Sequence, residues 1–185
     1  MTENGLEALA LVEVESIARG YVVMDMLAKR ARVSVKWARA VTPGKFIILF
    51  AGDIANTEEA MAAAQEAAGS SIIGSMLLPQ VHSELLAALG AVFSQRPLKA
   101  VAILEFNSVW SSLEGADRAL KAAEVGLLKM HLAAGIGGKG YFLLVGDHAD
   151  ILAASDSIQQ SFLKQSLIAL EIIPNPQPDI SGFFK

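Results

Sequence analysis

Residues 10–17, Ala-Leu-Val-Glu-Val-Glu-Ser-Ile, return about 92 places later as Ala-Ile-Leu-Glu-Phe-Asn-Ser-Val at 102–109. At the same shift Glu13 falls on Glu105, Ser16 on Ser108, Asp25 on Asp117, Lys29 on Lys121, Ala31 on Ala123 and Val33 on Val125. After a two-residue insertion in the second copy, Gly44-Lys45 falls on Gly138-Lys139, Leu49 on Leu143, Gly52-Asp53 on Gly146-Asp147 and Ala55 on Ala149. Solenoid units repeat every 20 to 50 residues or so, and a period this long suits two fused small domains instead. The first domain is expected at residues 1–90 and the second at 98–185, with 90–97 joining them.

A net charge of -4 and a pI near 5.4 oppose a nucleic-acid partner, which calls for a basic face. The absence of Cys removes disulfides, thiolate metal sites and a thiol nucleophile, and the opening Met-Thr-Glu-Asn-Gly lacks the basic and apolar regions of a signal peptide. The expected location is the cytoplasm. Apolar residues make up 53% of the chain, yet no apolar run approaches the roughly 18 residues that span a bilayer, so no membrane partner is expected. Two domains of this size expose much surface for their volume, so the apolar excess points to surfaces buried between subunits.

Each copy reads β-α-β-β-α-β. In the first, residues 9–14 are β-rich and 22–32 carry Val23, Met26, Leu27 and Arg30 at helical spacing. Strands at 33–41 and 45–51 flank Thr42-Pro43-Gly44, whose Pro and Gly mark a tight connection. A helix at 54–68 and a strand at 71–78 complete the unit. The second copy repeats this order at 99–106, 113–123, 125–134, 140–145, 151–162 and 165–173. Residues 82–89 predict a short helix after the first copy, whereas Pro174-Asn175-Pro176-Gln177-Pro178 argues against a helix at the matching place in the second. Asp53 and Asp147 precede helices as expected N-caps, and Asp25 with Lys29 and Asp117 with Lys121 are i,i+4 pairs.

Gly135-Ile136-Gly137-Gly138-Lys139-Gly140 matches the dinucleotide fingerprint G-x-G-x-x-G, but a strand pattern follows where the phosphate-binding helix should begin. No Ser or Thr follows Lys139 to make a Walker loop. His82, His131 and His148 are scattered without metal-ligand spacing, and neither a Ser-His-Asp order nor a carboxylate pair stands out. The sequence therefore designates no catalytic residue, no metal site and no cofactor, and the chain is not expected to be an enzyme.

Ala31-Arg-Val, Thr42-Pro-Gly-Lys and Gly52-Asp in one half, with Ala119-Leu-Lys-Ala-Ala-Glu-Val, Gly135-Ile-Gly-Gly-Lys and Gly146-Asp in the other, carry a resemblance over nearly the whole chain. They resemble two bacterial microcompartment shell domains in tandem. The implied fold is α/β (α+β): two tandem ferredoxin-like β-α-β-β-α-β shell domains in unpermuted order. The resemblance is to the tandem-domain trimer class, in which a homotrimer forms a flat pseudohexamer that tiles with other shell proteins around enclosed enzymes in the cytoplasm.

The resemblance also implies a central pore for small polar metabolites, lined by Ala40, Val41, Thr42, Pro43 and Gly44 of the first domain and Ala134, Gly135, Ile136, Gly137 and Gly138 of the second. Loops converging on an axis need small residues and a permissive backbone; plain hairpin turns account for the same glycines. Lys29 and Lys121 match the lateral-edge lysine that packs neighbouring tiles. Tandem shell proteins of propanediol-using compartments carry a Cys, ligating an iron–sulfur cluster, where this chain has Thr42, and a hydroxyl cannot replace that thiolate. An oligomeric small-molecule-binding regulator of ferredoxin-like fold is the alternative from another functional class.

Overall fold

The computed structural model describes residues 8–184, which form two compact units, one ending at Val81 and the other beginning at His82. In the first unit the order is β1 (Ala8–Val14), α1 (Ile17–Arg30), β2 (Ser34–Val41), β3 (Lys45–Gly52), α2 (Ile54–Ala68) and β4 (Ile72–Leu78). These strands make an antiparallel sheet in the order β2-β3-β1-β4, with Leu11 opposite Leu49 on one side and Met76 on the other. Alternation aims Ala10, Val12 and Val14 of β1, and Phe46, Ile48 and Phe50 of β3, at a core closed by Val23 and Leu27 of α1 and Ala60, Met61 and Ala64 of α2. All of β1 is buried, so it reads as an unbroken run rather than an alternating one.

The second unit contains α3 (Ser83–Leu89), β5 (Ala100–Phe106), α4 (Val109–Ala122), β6 (Gly126–Leu132), β7 (Gly140–Gly146), α5 (His148–Gln159) and β8 (Leu167–Pro174). Its sheet order, β6-β7-β5-β8, repeats the first, with Ile103 opposite Leu143. Even the irregularities recur: register shifts at Val35/Trp37 and Leu127/Lys129, and again at Glu13/Val14 and Glu105/Phe106. A bulge bends its strand and pins the pairing, so the two sheets share curvature as well as order. No helix among the described residues is long and apolar enough to cross a membrane.

The structure departs from the sequence reading in several places. Helices α1 and α4 begin at Ile17 and Val109, several residues before the expected 22 and 113, because Ser16 and Ser108 are N-caps. Ser16 Oγ accepts the Arg19 N–H at 3.2 Å and Ser108 Oγ the Ser111 N–H at 3.4 Å. Helix α3, expected with the first copy, packs in the second unit against α4 and β6. The His82 N–H donates to Asp117 Oδ1 at 2.8 Å and the Leu127 N–H donates to Glu84 Oε2 at 3.2 Å, which ties that segment to the second unit. Finally, the proline-rich stretch does not exclude helix: a 3₁₀ helix runs over Pro178–Phe184, because proline is tolerated at a first helical position.

Candidate pore loops and lateral edge

The two hairpin tips differ in kind. Between β2 and β3 only residues 42–44 are outside the strands, and the Gly44 N–H closes the turn on the Val41 carbonyl at 2.8 Å. The Thr42–Pro43 peptide is cis and Gly44 has φ 113°, a value that L side chains resist. Thr42, Pro43 and Gly44 are exposed. Ala40 and Val41, expected among the pore-lining residues, are the last residues of β2, in line with the strand expected at 33–41; they pair with Phe46 and Lys45, and Val41 is buried.

Between β6 and β7 the loop is longer, residues 133–139. The Ala133 N–H donates to the Lys139 carbonyl at 2.8 Å and the Ala134 N–H to the Leu132 carbonyl at 2.7 Å, so the loop folds back on its base. His131 Nε2 lies 2.6 Å from the Ala134 carbonyl oxygen, which can only accept, and the His131 ring stacks on Tyr141 with centroids 5.5 Å apart. Gly135, Gly137 and Gly138 have φ of 73°, 68° and 80°. An added Cβ at Gly135 or Gly137 would meet nothing within 4 Å, so within one chain the requirement for glycine is conformational, not steric. Ala134, Gly135 and Gly137 are exposed, Ile136 is half-buried and Gly138 is buried. The strand β7 that follows removes any helix N-terminus from the G-x-G-x-x-G segment.

Both tips are pinned by a duplicated ion pair that the sequence reading left unassembled. Lys45, at the first tip's exit, stands 3.6 Å from Glu13 Oε2, and Lys139, at the second, stands 2.8 Å from Glu105 Oε1. Glu13 is 2% exposed in its side chain and Glu105 36%, so the same pair is buried in one unit and solvated in the other. The signal was present in the repeat, because both partners recur at matching positions. Their separation in sequence, a whole helix and hairpin, hides the contact.

Lys29 and Lys121 occupy the last turns of α1 and α4, where a cation opposes the negative end of the helix dipole. Each reaches back one turn, Lys29 to Asp25 Oδ2 and Lys121 to Asp117 Oδ2, both at 2.5 Å. Lys29 also lines a groove of about 580 Å³ between α1 and α2, with Arg30 bound to Glu59 at 3.0 Å beside it. The expected caps diverge. Asp53 accepts the Asn56 N–H at 2.9 Å, and these bonds hold its carboxyl below the usual carboxylate range. Asp147 makes no capping bond and pairs with Lys99 at 2.7 Å instead.

The profile of the BMC domain, the bacterial microcompartment domain, matches this chain twice, over residues 8–81 and 100–176. The chain belongs to the BMC family. It is 34% identical over 171 residues to the bacterial microcompartment shell protein PduT of Citrobacter freundii, covering 92% of this chain and 93% of that one. A microcompartment protein from Desulfitobacterium hafniense DCB, known from its crystal structure, superposes with a TM-score of 0.86 at 33% identity, covering 96% of this chain and 99% of that one. A fused, permuted hexameric shell protein of the RMM microcompartment gives a TM-score of 0.65 at 21% identity, covering 86% and 85%, and supports the fold alone. The tandem BMC architecture and its unpermuted strand order agree with the sequence reading, and the role of the chain is that of a structural shell protein. An iron–sulfur cluster does not fit the first BMC tip, since Thr42 stands there and the chain contains no Cys.

Proposed function

We propose that three copies of this chain close into a flat pseudohexameric tile of a microcompartment shell, with the six hairpin tips around a central opening. The observation that carries this reading is the pair of complete BMC domains in one polypeptide, whose sheets repeat order, register and bulges. A ring of six such domains needs three chains. Thr42, Pro43 and Gly44 alternate with Ala134, Gly135, Ile136, Gly137 and Gly138 around the opening, and Ala40 and Val41 support the first lip from within β2. Small polar metabolites pass, hydrogen-bonding to Thr42 hydroxyls and loop backbone; no bond is made or broken, and no catalytic residue or cofactor takes part.

Lys29 and Lys121 lie along the outer edge, where a long stem covers apolar surface and the ammonium reaches a carbonyl of the adjoining tile. Other shell proteins and the enclosed enzymes are the remaining partners. Sedimentation of the purified chain tests the tile: a mass three times 19.5 kDa is expected, and a monomer or dimer overturns the proposal. Electron microscopy then reads the edge. Lys121→Asp abolishes hexagonal arrays and leaves the trimer; unchanged arrays remove Lys121 from the edge.

A further inference from the structure

The repeat extends beyond the matched domains into the segment after each sheet's last strand. Leu78 and Ile173 stand at equivalent places near the ends of the edge strands, opposite Leu9 and Val101. Counting on from them, Pro79 falls on Pro174, His82 on Gln177, Glu84 on Asp179 and Leu85 on Ile180. Helix α3, Ser83–Leu89, thereby falls on the 3₁₀ helix Pro178–Phe184, residue for residue. The first turns share a hydrogen bond: the Leu85 N–H donates to the His82 carbonyl at 3.0 Å and the Ile180 N–H to the Gln177 carbonyl at 3.2 Å. The two segments are the same element in two sequences.

Their surroundings differ. Helix α3 packs on α4 and β6, where Leu85 is fully buried and the His82 N–H is bound by Asp117. Its counterpart leaves Ile180 42% and Phe183 79% exposed, with only Phe184 buried, among Val101, Leu128, Leu143 and Val145. The receiving surfaces show the complementary asymmetry. Along α4, Val109 and Leu113 are fully buried and Asp117 nearly so. At the matching positions of α1, Ile17 is 40% and Tyr21 58% exposed, and Asp25 is exposed too. One unit thus has a covered helix face, and the other has the same face bare, while the chain also carries a second covering element with bare apolar side chains.

We propose that Pro178–Phe184 of one copy docks on α1 and β2 of the first unit of a second copy, as α3 docks on α4 and β6. The occupant is a second copy because, among the described residues, this is the element that repeats α3, and it ends anchored through Phe184 in its own second unit. Ile180 and Phe183 then cover Ile17 and Tyr21, and the Gln177 N–H donates to Asp25 as the His82 N–H donates to Asp117. Such a contact is head-to-tail, joining different surfaces of the two copies, and a head-to-tail contact makes a ring when its rotation closes, as it does in a tile of three chains. The proposal rests on the trimeric tile and names the contact that closes it.

The chain has no native Cys, which makes the test specific. Asp25→Cys and Gln177→Cys are introduced into separate chains, and the two variants are mixed, exchanged and oxidised. A covalent two-chain product is expected from the mixture and from neither variant alone, because like residues do not meet across a head-to-tail contact. In parallel, Phe183→Asp is expected to raise the concentration at which the trimer half-dissociates by tenfold or more, with the circular dichroism spectrum unchanged. A wild-type trimer that yields no mixed product, and that Phe183→Asp leaves equally tight, overturns the docking while keeping the tile. A wild-type monomer overturns the tile, and the docking with it.

Discussion

Gly20 of α1 and Phe46 of β3 approach so closely that a β-carbon added to the glycine would stand 2.5 Å from that of the phenylalanine. The second unit holds the inverse pair. Ser112 takes the place of Gly20, Gly140 that of Phe46, and a β-carbon on Gly140 would stand 2.6 Å from that of Ser112. There is room for one β-carbon at this helix–sheet crossing, and the halves assign it to opposite partners. The aromatic ring moves as well. Phe46 lies opposite Val14, whereas Phe106, at the place of Val14, lies opposite Gly140 and is received on α4 by Gly115.

Gly140→Ala is therefore expected to destabilise the chain by about 1–3 kcal/mol through overpacking. Ser112→Gly in the same chain recovers most of that loss, less the roughly 1 kcal/mol that a glycine costs inside a helix. Denaturant unfolding of the two single variants and the double variant measures the coupling. Additive losses would show that the crossing yields elsewhere.

The pinned tips should respond unequally to loss of their lysines. Lys45→Met leaves the buried Glu13 carboxylate without that cation and costs about 3 kcal/mol. Lys139→Met removes a solvated partner from Glu105 and costs about 1 kcal/mol or less. Thermal unfolding midpoints of the two variants check the order, which the buried and solvated settings of the same pair dictate.

Much of the fold was legible because its signals are local. Strands β1 and β3 are short apolar runs, and α2 lies between Asp53 and Gly69 as the capping residues require. The early start of α1 was hidden by Gly20, an apparent helix breaker kept for its contact with Phe46. The terminal 3₁₀ helix was hidden by reading Pro178 as a stop when it is a start. The strand expected at 33–41 was legible up to the breakers Pro43 and Gly44, and pairing with Phe46 and Lys45 carries β2 to Val41, its last residue before the turn. The Glu–Lys pins and the fate of α3 depend on long-range packing, which residue spacing alone does not encode.

Asp53 and Asp147 occupy equivalent positions, but only the first caps its helix. Asp53→Ala is expected to lower the unfolding midpoint more than Asp147→Ala, which removes only an exposed pair with Lys99. The Asp53 carboxyl is held below its ordinary value, chiefly by the Asn56 N–H. Its contribution is thus present above the unfolded-state value and is lost as the pH falls through the folded one. The gap between wild type and Asp53→Ala should close in acid, as a midpoint series from pH 7 to pH 2 would show.

Glu114 on α4 behaves in the opposite sense. Burial raises its carboxyl above the ordinary value, Arg118 opposes the rise and Asp117 adds to it. A raised carboxyl favours the folded state below the unfolded-state value and loses that advantage as the pH climbs through the folded one. Glu114→Gln is expected to have the higher unfolding midpoint at pH 7, and the difference to vanish near pH 4. A variant no more stable than wild type at pH 7 would remove the burial penalty.

The two hairpin tips, a three-residue turn closed on Val41 and a seven-residue loop folded back on His131, cannot be superposed. In a ring of three chains they would take turns around the axis, so the aperture would be trigonal rather than hexagonal. A permeating molecule would then meet three hydroxyl-bearing lips offset by three glycine-rich ones. Selection would follow a threefold pattern of polarity that a ring of six identical subunits cannot offer.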